Sequence, residues 1–236
     1  MQKLMGLVRR CVEDYEMIED GDKIAVGISG GKDSLVLLRL LAALRSYHNK
    51  KFTLQAITID MGLGMDYSGI EELCRELDVP YTIVKTEIGP IIFDYRKEKN
   101  PCSMCSKMRR GALNQALLDL GCNKLALAHH REDALETYLM SALSEGRFYR
   151  LAPSANMERA GVRVIRPLID SPESALAALC RRQGLPVLKN PCPVDGHTRR
   201  AEMRTLLSAL EARCPGANAH LLTALQKERE QELRNE

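Results

Sequence analysis

Short apolar runs alternate along this chain with stretches in which apolar residues recur every three or four positions. Residues 23–28 read as a buried strand and 35–46 as a helix. Residues 53–60 alternate into a second strand, and Ile70, Leu73, Cys74 and Leu77 follow at the i, i+3, i+4, i+7 spacing of a helix face. A third strand is expected over 81–85. Beyond a long polar segment the pattern predicts a helix over 106–120, a strand over 124–128, a helix over 132–143, a strand over 162–165 and a helix over 173–183. Strands separated by helical crossovers imply an α/β fold, a doubly wound and mostly parallel sheet with helices on both faces. An amphipathic helix carrying Leu4, Leu7, Val8, Cys11 and Ile18 on one face precedes the sheet, and two helices, over 198–211 and from 218 onward, follow it. The expected organisation is an N-terminal helix over 1–22, one α/β domain over 23–190 and a C-terminal helical extension over 191–236 packed on that domain.

Composition narrows the class. With 45% hydrophobic and 28% charged residues in 236, the chain is neither disordered nor collagen-like. No apolar run approaches the ~20 residues of a membrane span, and Met1-Gln2-Lys3-Leu4 lacks a secretory apolar region. A cytoplasmic protein with no membrane partner is expected, and its eight cysteines then point to metal or redox chemistry before structural bridges. The formal charge of +3 conceals polarity. From Arg96 to Arg110 six basic residues face only Glu98; from Arg181 to Arg204 six face Asp195 and Glu202; the first 22 residues sum to −3. Basic loops of this kind attract a polyanion such as RNA, against the plainer reading of a solvated surface. Ten aromatics and no Trp argue against recognition built on base-stacking platforms.

The first strand runs into Ser29-Gly30-Gly31-Lys32-Asp33-Ser34 and straight into a helix. Glycines let a ligand approach the backbone, and the helix start points N–H groups at an anion. Ser29 and Ser34 add hydroxyls and Lys32 a cation; Asp33 suits an anion site only with a divalent cation as a bridge. A Walker A loop is excluded, because Asp33 follows Lys32 and Val26 stands at the first glycine position. The segment resembles the PP-loop of ATP pyrophosphatases, which split ATP into AMP and pyrophosphate. That likeness implies ATP, with Mg²⁺, on Ser29, Gly30, Gly31, Lys32, Asp33 and Ser34. It also implies an adenosine near Asp60 at the end of the second strand.

Cys11, Cys74 and Cys180 lie among aliphatic residues at helical spacing, and Cys122 and Cys214 have no partner at ligand spacing; all five read as structural. Cys102 and Cys105 differ. They are expected just before a helix, with Lys107, Arg109 and Arg110 after them, a setting that favours thiolates. Lys99-Asn100-Pro101-Cys102 recurs as Lys189-Asn190-Pro191-Cys192. Both loops are expected to follow strands and to meet at the carboxyl edge of the sheet, where open α/β sheets hold ligands. Three chemistries fit: a Cys-x-x-Cys redox pair, a zinc completed by His197, or a [4Fe–4S] cluster on Cys102, Cys105 and Cys192 with one iron left open.

With Ala128-His129-His130-Arg131-Glu132-Asp133-Ala134-Leu135-Glu136-Thr137 added, the chain resembles the tRNA 2-thiocytidine synthetase family, iron–sulfur-dependent PP-loop tRNA sulfurtransferases. The resemblance runs from about Asp14 to Gly216 and implies the adenine nucleotide alpha hydrolase-like sheet. It also implies ATP-dependent replacement of a tRNA pyrimidine C2 oxygen by sulfur, most naturally at cytidine 32. A tRNA partner, a sulfur donor (a cysteine desulfurase or inorganic sulfide) and a homodimer follow from it. On this likeness Lys32 is catalytic, with Asp133, and Glu132 after it, orienting the base or the metal. Lys107, Arg109, Arg110, Arg199 and Arg200 meet tRNA phosphates. His129 and His130 are either site residues or hydrogen-bonded strand-end residues, and Glu136 with Asp133 either site residues or a solvated helix start. One departure concerns the second cysteine loop, where family members carry Cys-x-x-Cys and this chain has Cys192 and Asp195. Cys192 is the favoured third ligand, as in archaeal-type thiolases with one Cys-Pro, and Asp195 the alternative. A PP-loop ligase of the tRNA-lysidine synthetase type, a nucleotide-sensing module and sulfur transfer to a small molecule are the competing functions.

Overall fold

The structure, a computed structural model, describes residues 2–97, 101–157, 161–194 and 199–235. Six strands form one sheet: β1 (Asp22–Gly27), β2 (Phe52–Asp60), β3 (Tyr81–Lys85), β4 (Lys124–Ala126), β5 (Ser154–Met157) and β6 (Val162–Ile165), in the order β3-β2-β1-β4-β6-β5. Every neighbouring pair is parallel except β5 on β6. The sheet is therefore mostly parallel, as the strand–helix alternation implies, with an antiparallel edge the pattern does not announce.

Two apolar layers sandwich it. On one face Leu4 and Val8 of α1 (Gln2–Asp14), Leu37, Leu38 and Leu41 of α2 (Lys32–Arg45), Ile70 of α3 (Ser68–Glu76) and, once the chain has crossed the sheet, Leu176 of a later helix meet in the main core. On the other, Ala116 and Leu117 of a long helix cover Ala25, Ile57, Leu125 and Val164. Ile18 is buried as expected, but from the turn after α1, because that helix ends at Asp14. The segment expected to be polar and irregular holds α4 (Ile88–Pro90) and a π-helical turn, Ile91–Tyr95, with Ile88 and Ile92 buried. The long helix α5 (Pro101–Asp119) starts five residues earlier than its apolar pattern, because Pro101 opens it at the position that tolerates a missing N–H. Then come α6 (Arg131–Glu145), α7 (Glu173–Gln183), α8 (Arg199–Arg213) and α9 (Ala217–Asn235), α8 packing on α6 and α9 on both.

Strand order locates the crevice. The chain runs outward through β1, β2 and β3, then returns to lay β4 on the other side of β1. Open α/β sheets bind ligands beyond the carboxyl ends of strands at such a reversal. The loops leaving β1 and β4 carry the glycine loop and His129-His130.

At the opposite end of β1, Lys124 Nζ lies 2.8 Å from Asp22 Oδ2, both side chains almost fully buried, while Asp22 also accepts the Glu19 N–H at 2.6 Å and Asn123 Nδ2 at 2.7 Å. Removing one partner of such a pair strands the other charge. Asp22→Ala, which leaves Lys124 only the exposed Glu19, is expected to cost about 3 kcal/mol. The measurement is urea unfolding, with a lower midpoint at unchanged slope.

Candidate active site

The turn between β1 and α2 is tight enough to need Gly30 in the left-handed region, at φ +81°. Its own hydroxyls brace it: Ser34 Oγ donates to the Gly31 carbonyl at 2.8 Å and accepts the Ser29 N–H at 3.2 Å, while the Gly31 N–H donates to Ser29 Oγ at 3.3 Å. No side chain caps α2, which leaves its first N–H groups to an anion. Lys32 Nζ sits 2.7 Å from Glu173 Oε1 and 3.0 Å from Asp33 Oδ2. Burial pulls the Lys32 pKa down, but these two carboxylates raise it above the ordinary value, so the lysine stays charged. Asp33 Oδ1 is buried without a hydrogen-bond partner. An orphaned carboxylate oxygen beside an anion-binding loop is a group that a divalent cation satisfies.

Across the crevice, His130 ends the β4 loop and heads α6, buried at 2% exposure. Its N–H donates to Asp133 Oδ2 at 3.0 Å; its Nδ1 lies 3.1 Å from Glu132 Oε2, and its Nε2 3.4 Å from Asp133 Oδ2 and 3.9 Å from Asp33 Oδ2. Burial depresses the His130 pKa, but the hydrogen bond to Glu132 and the charges of Asp133 and Asp33 outweigh it and raise the value. Burial likewise opposes ionisation of Glu132, yet His130 and the Glu173 N–H, 2.9 Å away, hold its pKa down at about 2. His129 behaves oppositely: burial and the charge of Arg166, whose Nε donates to His129 Nδ1 at 3.3 Å, lower it to about 4. His129 is neutral near pH 7. Glu132 thus clasps α6 to α7.

Asp133 and Glu136 are no solvated helix start. Arg200 reaches Asp133 Oδ1 at 2.9 Å, and Arg204 Nε donates to Glu136 Oε1 at 2.8 Å, where Glu136 is 1% exposed and burial raises its pKa. Arg200 is therefore ion-paired within the fold, whereas Lys107, Arg109, Arg110 and Arg199 are exposed.

A cavity of about 260 Å³ lies on the loop, lined by Ser29, Gly31, Asp33 and Ser34, by Ile57 and Ile59 of β2, by Arg109 and Leu113 of α5, and by His129. Gly30 and Lys32 flank it. Asp60 stands apart, its Oδ1 accepting the Gly62 N–H at 3.1 Å and the Tyr67 hydroxyl at 3.3 Å.

Three expectations for the cysteines change. Cys102 and Cys105 lie inside the first turns of α5 rather than before it, and the Cys192 segment follows helix α7, not a strand. Nor does Cys105 favour the thiolate. Half-burial pushes its pKa up, Arg109 opposes by charge and hydrogen bond, and the neighbouring thiols Cys192 and Cys102 add to the rise. By those charges Cys105 lies within electrostatic reach of Cys102 and Cys192. All three are free, Cys102 exposed and the others partly so; Cys11, Cys74, Cys122 and Cys180 are buried, but Cys214 is exposed and fills no core. Among the described residues no three His, Cys, Asp or Glu side chains are gathered tightly enough for a single metal ion. A cluster, several ångströms across, needs its thiolates more widely spaced than a lone zinc does. Asp195 and His197 lie outside the described residues, as do Lys99 and Asn100.

The sequence reading misses Glu173 and Arg204. Glu173 opens α7 after Pro172, a position that reads as helix-dipole chemistry. The i, i+4 spacing of Arg200 and Arg204 opposite Asp133 and Glu136 is the one available signal for the second.

A family model described as a PP-loop domain matches residues 5–210. The chain is 38% identical over 227 residues to a tRNA-cytidine(32) 2-sulfurtransferase of Geotalea uraniireducens, covering 94% of this chain and 90% of that protein. It is 35% identical over 229 residues to the one of Anaeromyxobacter dehalogenans, covering 95% and 78%. Among solved structures it is similar to the U34-tRNA thiolase NcsA of Methanococcus maripaludis with its [4Fe-4S] cluster, with a TM-score of 0.77, 25% identity, and coverage of 97% of this chain and 78% of that one.

The Glu132 clasp makes a pH prediction. Its folded pKa of about 2 lies below the ordinary 4.5, so its stabilisation is complete above 4.5 and is lost as pH falls toward 2. Glu132→Gln should flatten that acid limb in unfolding measured from pH 2 to 5, and an unchanged limb would remove Glu132 from the account.

Proposed function

This chain belongs to the PP-loop family, alongside the tRNA-cytidine(32) 2-sulfurtransferases, and on that premise we propose that it is an ATP-dependent tRNA sulfurtransferase acting on cytidine 32. The observation that carries the reading is Arg109, which lines the cavity on the phosphate loop and acts by its charge on Cys105, one helical turn before it on α5. One side chain thus joins the nucleotide cavity to the thiols.

A pyrimidine C2 oxygen leaves poorly. Its attack on the α-phosphorus of ATP forms an O–AMP bond and breaks the α–β bond, releasing pyrophosphate; sulfur then attacks C2 and the oxygen departs with AMP. The chain's part in the first step is charge stabilisation. The glycine-loop amides, with the Gly31 N–H released from Ser29 Oγ, and the Lys32 ammonium would stabilise the departing pyrophosphate, Lys32 exchanging Glu173 for phosphate oxygens. Asp33, through its orphaned oxygen, and Asp133 opposite it across His130 are the residues to hold Mg²⁺, which offsets the triphosphate charge. Glu132 fixes His130 and so acts through it. Asp60 shapes the strand end beside the adenosine. Cys102, Cys105 and Cys192 would hold the [4Fe–4S] cluster, which when bound supplies a coordination position not taken by protein, where sulfur is delivered. Lys107, Arg110 and Arg199, exposed on α5 and α8, meet tRNA phosphates without reading sequence. A cysteine desulfurase or inorganic sulfide as sulfur source, a homodimer and a cytoplasmic location complete the proposal. Among the described residues no helix is long and apolar enough to cross a membrane.

The test pairs two variants. Lys32→Ala should slow pyrophosphate release on tRNA by about 100-fold with iron content intact. Cys192→Ser should lose iron and 2-thiocytidine, scored by mass spectrometry of tRNA nucleosides, while still binding ATP. Full iron occupancy in Cys192→Ser would overturn the three-thiolate assignment.

A further inference from the structure

The segment that carries Cys192 is anchored on the phosphate loop upstream of the cysteine. Upstream, the Leu188 N–H donates to the Gly30 carbonyl at 2.9 Å. The Leu188 side chain is seated on the same glycine: a Cβ built on Gly30 would stand 3.2 Å from Leu188 Cβ and 3.3 Å from its Cδ1. Two residues earlier, Pro186 sits as closely on Gly69 of α3, at 2.9 Å from a Cβ built there. Downstream, α8 is pinned to the acids of α6 by Arg200 on Asp133 and Arg204 on the buried Glu136. Between Leu188 and Cys192 the chain is short and locally stiffened. Four residues span at most roughly 14 Å, Pro191 and Pro193 fix φ on either side of Cys192, and the Cys192 N–H closes a turn on Asn190 Oδ1 at 3.1 Å. At its far end Cys192 is near enough to Cys105 to raise its pKa.

We infer that Leu188 is a positioning residue that couples the phosphate loop to Cys192, so that nucleotide occupancy and the placement of the third thiol are linked. Gly30 is a left-handed residue of the phosphate loop whose carbonyl is held by the strap, so a shift of that loop moves the acceptor of the Leu188 N–H. Phosphates that draw in the Gly30 and Gly31 amides therefore bias the Leu188 contact, and the stiff link passes that bias to the thiol. Linkage is reciprocal: whatever fastens Cys192 also favours the nucleotide-bound loop. The inference rests on the reading that ATP occupies this loop and that Cys192 joins Cys102 and Cys105 at the cluster.

The experiment uses the full chain, iron-free and reduced, labelled with iodoacetamide and mapped by peptide mass spectrometry with and without ATP and Mg²⁺. Cys214, exposed beyond α8, is the internal reference. ATP should change the labelling rate of Cys192 relative to Cys214 by about fivefold, the low end of allosteric coupling. Leu188→Ala should lose most of that response and Leu188→Met should restore it, with ATP binding measured on each sample. ATP binding with an unmoved Cys192 rate in the native chain overturns the coupling, as does a native-sized response in Leu188→Ala. Failure of the native chain to bind ATP overturns the functional reading and the coupling with it. Failure of Cys102, Cys105 and Cys192 to take up iron and sulfide, with the ATP response intact, overturns only the cluster assignment.

Discussion

Four carboxylates, Asp33, Glu132, Asp133 and Glu173, converge beside the phosphate loop, and the fold keeps them there by interleaving cations. Lys32 lies between Asp33 and Glu173, His130 among Asp33, Glu132 and Asp133, and Arg200 on the outer oxygen of Asp133. Left unpaired at this burial, such charges would repel one another and protonate. Paired, they hold α2, α6, α7 and α8 around one crevice. On the proposed function, a phosphate would compete with Glu173 for Lys32 and a divalent cation would relieve Asp33, so magnesium and nucleotide have reason to arrive together.

What the sequence discloses is what is local. The strand–loop–helix around Ser29–Ser34 is written in consecutive residues, and the His129–Thr137 run announces a helix start with acids in its first turn; both stand where their patterns place them. Glu173 and Leu188 are different. Each gets its role from a residue more than a hundred positions away, Lys32 and Gly30, and neither bears a local mark. Strand β5 escapes for another reason: a four-residue edge strand with Ala155 and Asn156 exposed has no apolar alternation to betray it. The turn over Ile91–Tyr95 is hidden by its charged neighbours, although Ile88 and Ile92 bury fully enough to hold it.

The thiols show why residue type and spacing go only part of the way. The repeated Asn-Pro-Cys predicts convergence, and Cys105 does feel both other thiols. The same residues suggest easy ionisation, which the structure reverses at Cys105, because half-burial raises its pKa by more than Arg109 lowers it. A metal site is where that conflict resolves, since iron coordinates the sulfurs as thiolates and so favours the charge that burial penalises.

Exchange of oxygen for sulfur at one ring carbon requires two reactive groups, a phosphorus and a sulfur, to address that carbon in turn from fixed positions. A parallel sheet has one edge for such work, because every βα loop leaves from the carboxyl ends of its strands. Here the phosphate loop occupies the centre of that edge, so the sulfur chemistry must be brought to it by elements that begin elsewhere. One is α5, whose exposed N-terminal half carries two thiols and Arg109 across the cavity. The other is the strap after α7, which is tied to Gly30 before it presents Cys192. A freely hinged strap would leave the third thiol's distance from the base to chance. On the proposed function, anchoring it on Gly30 of the phosphate loop gives the two halves of the reaction one reference point.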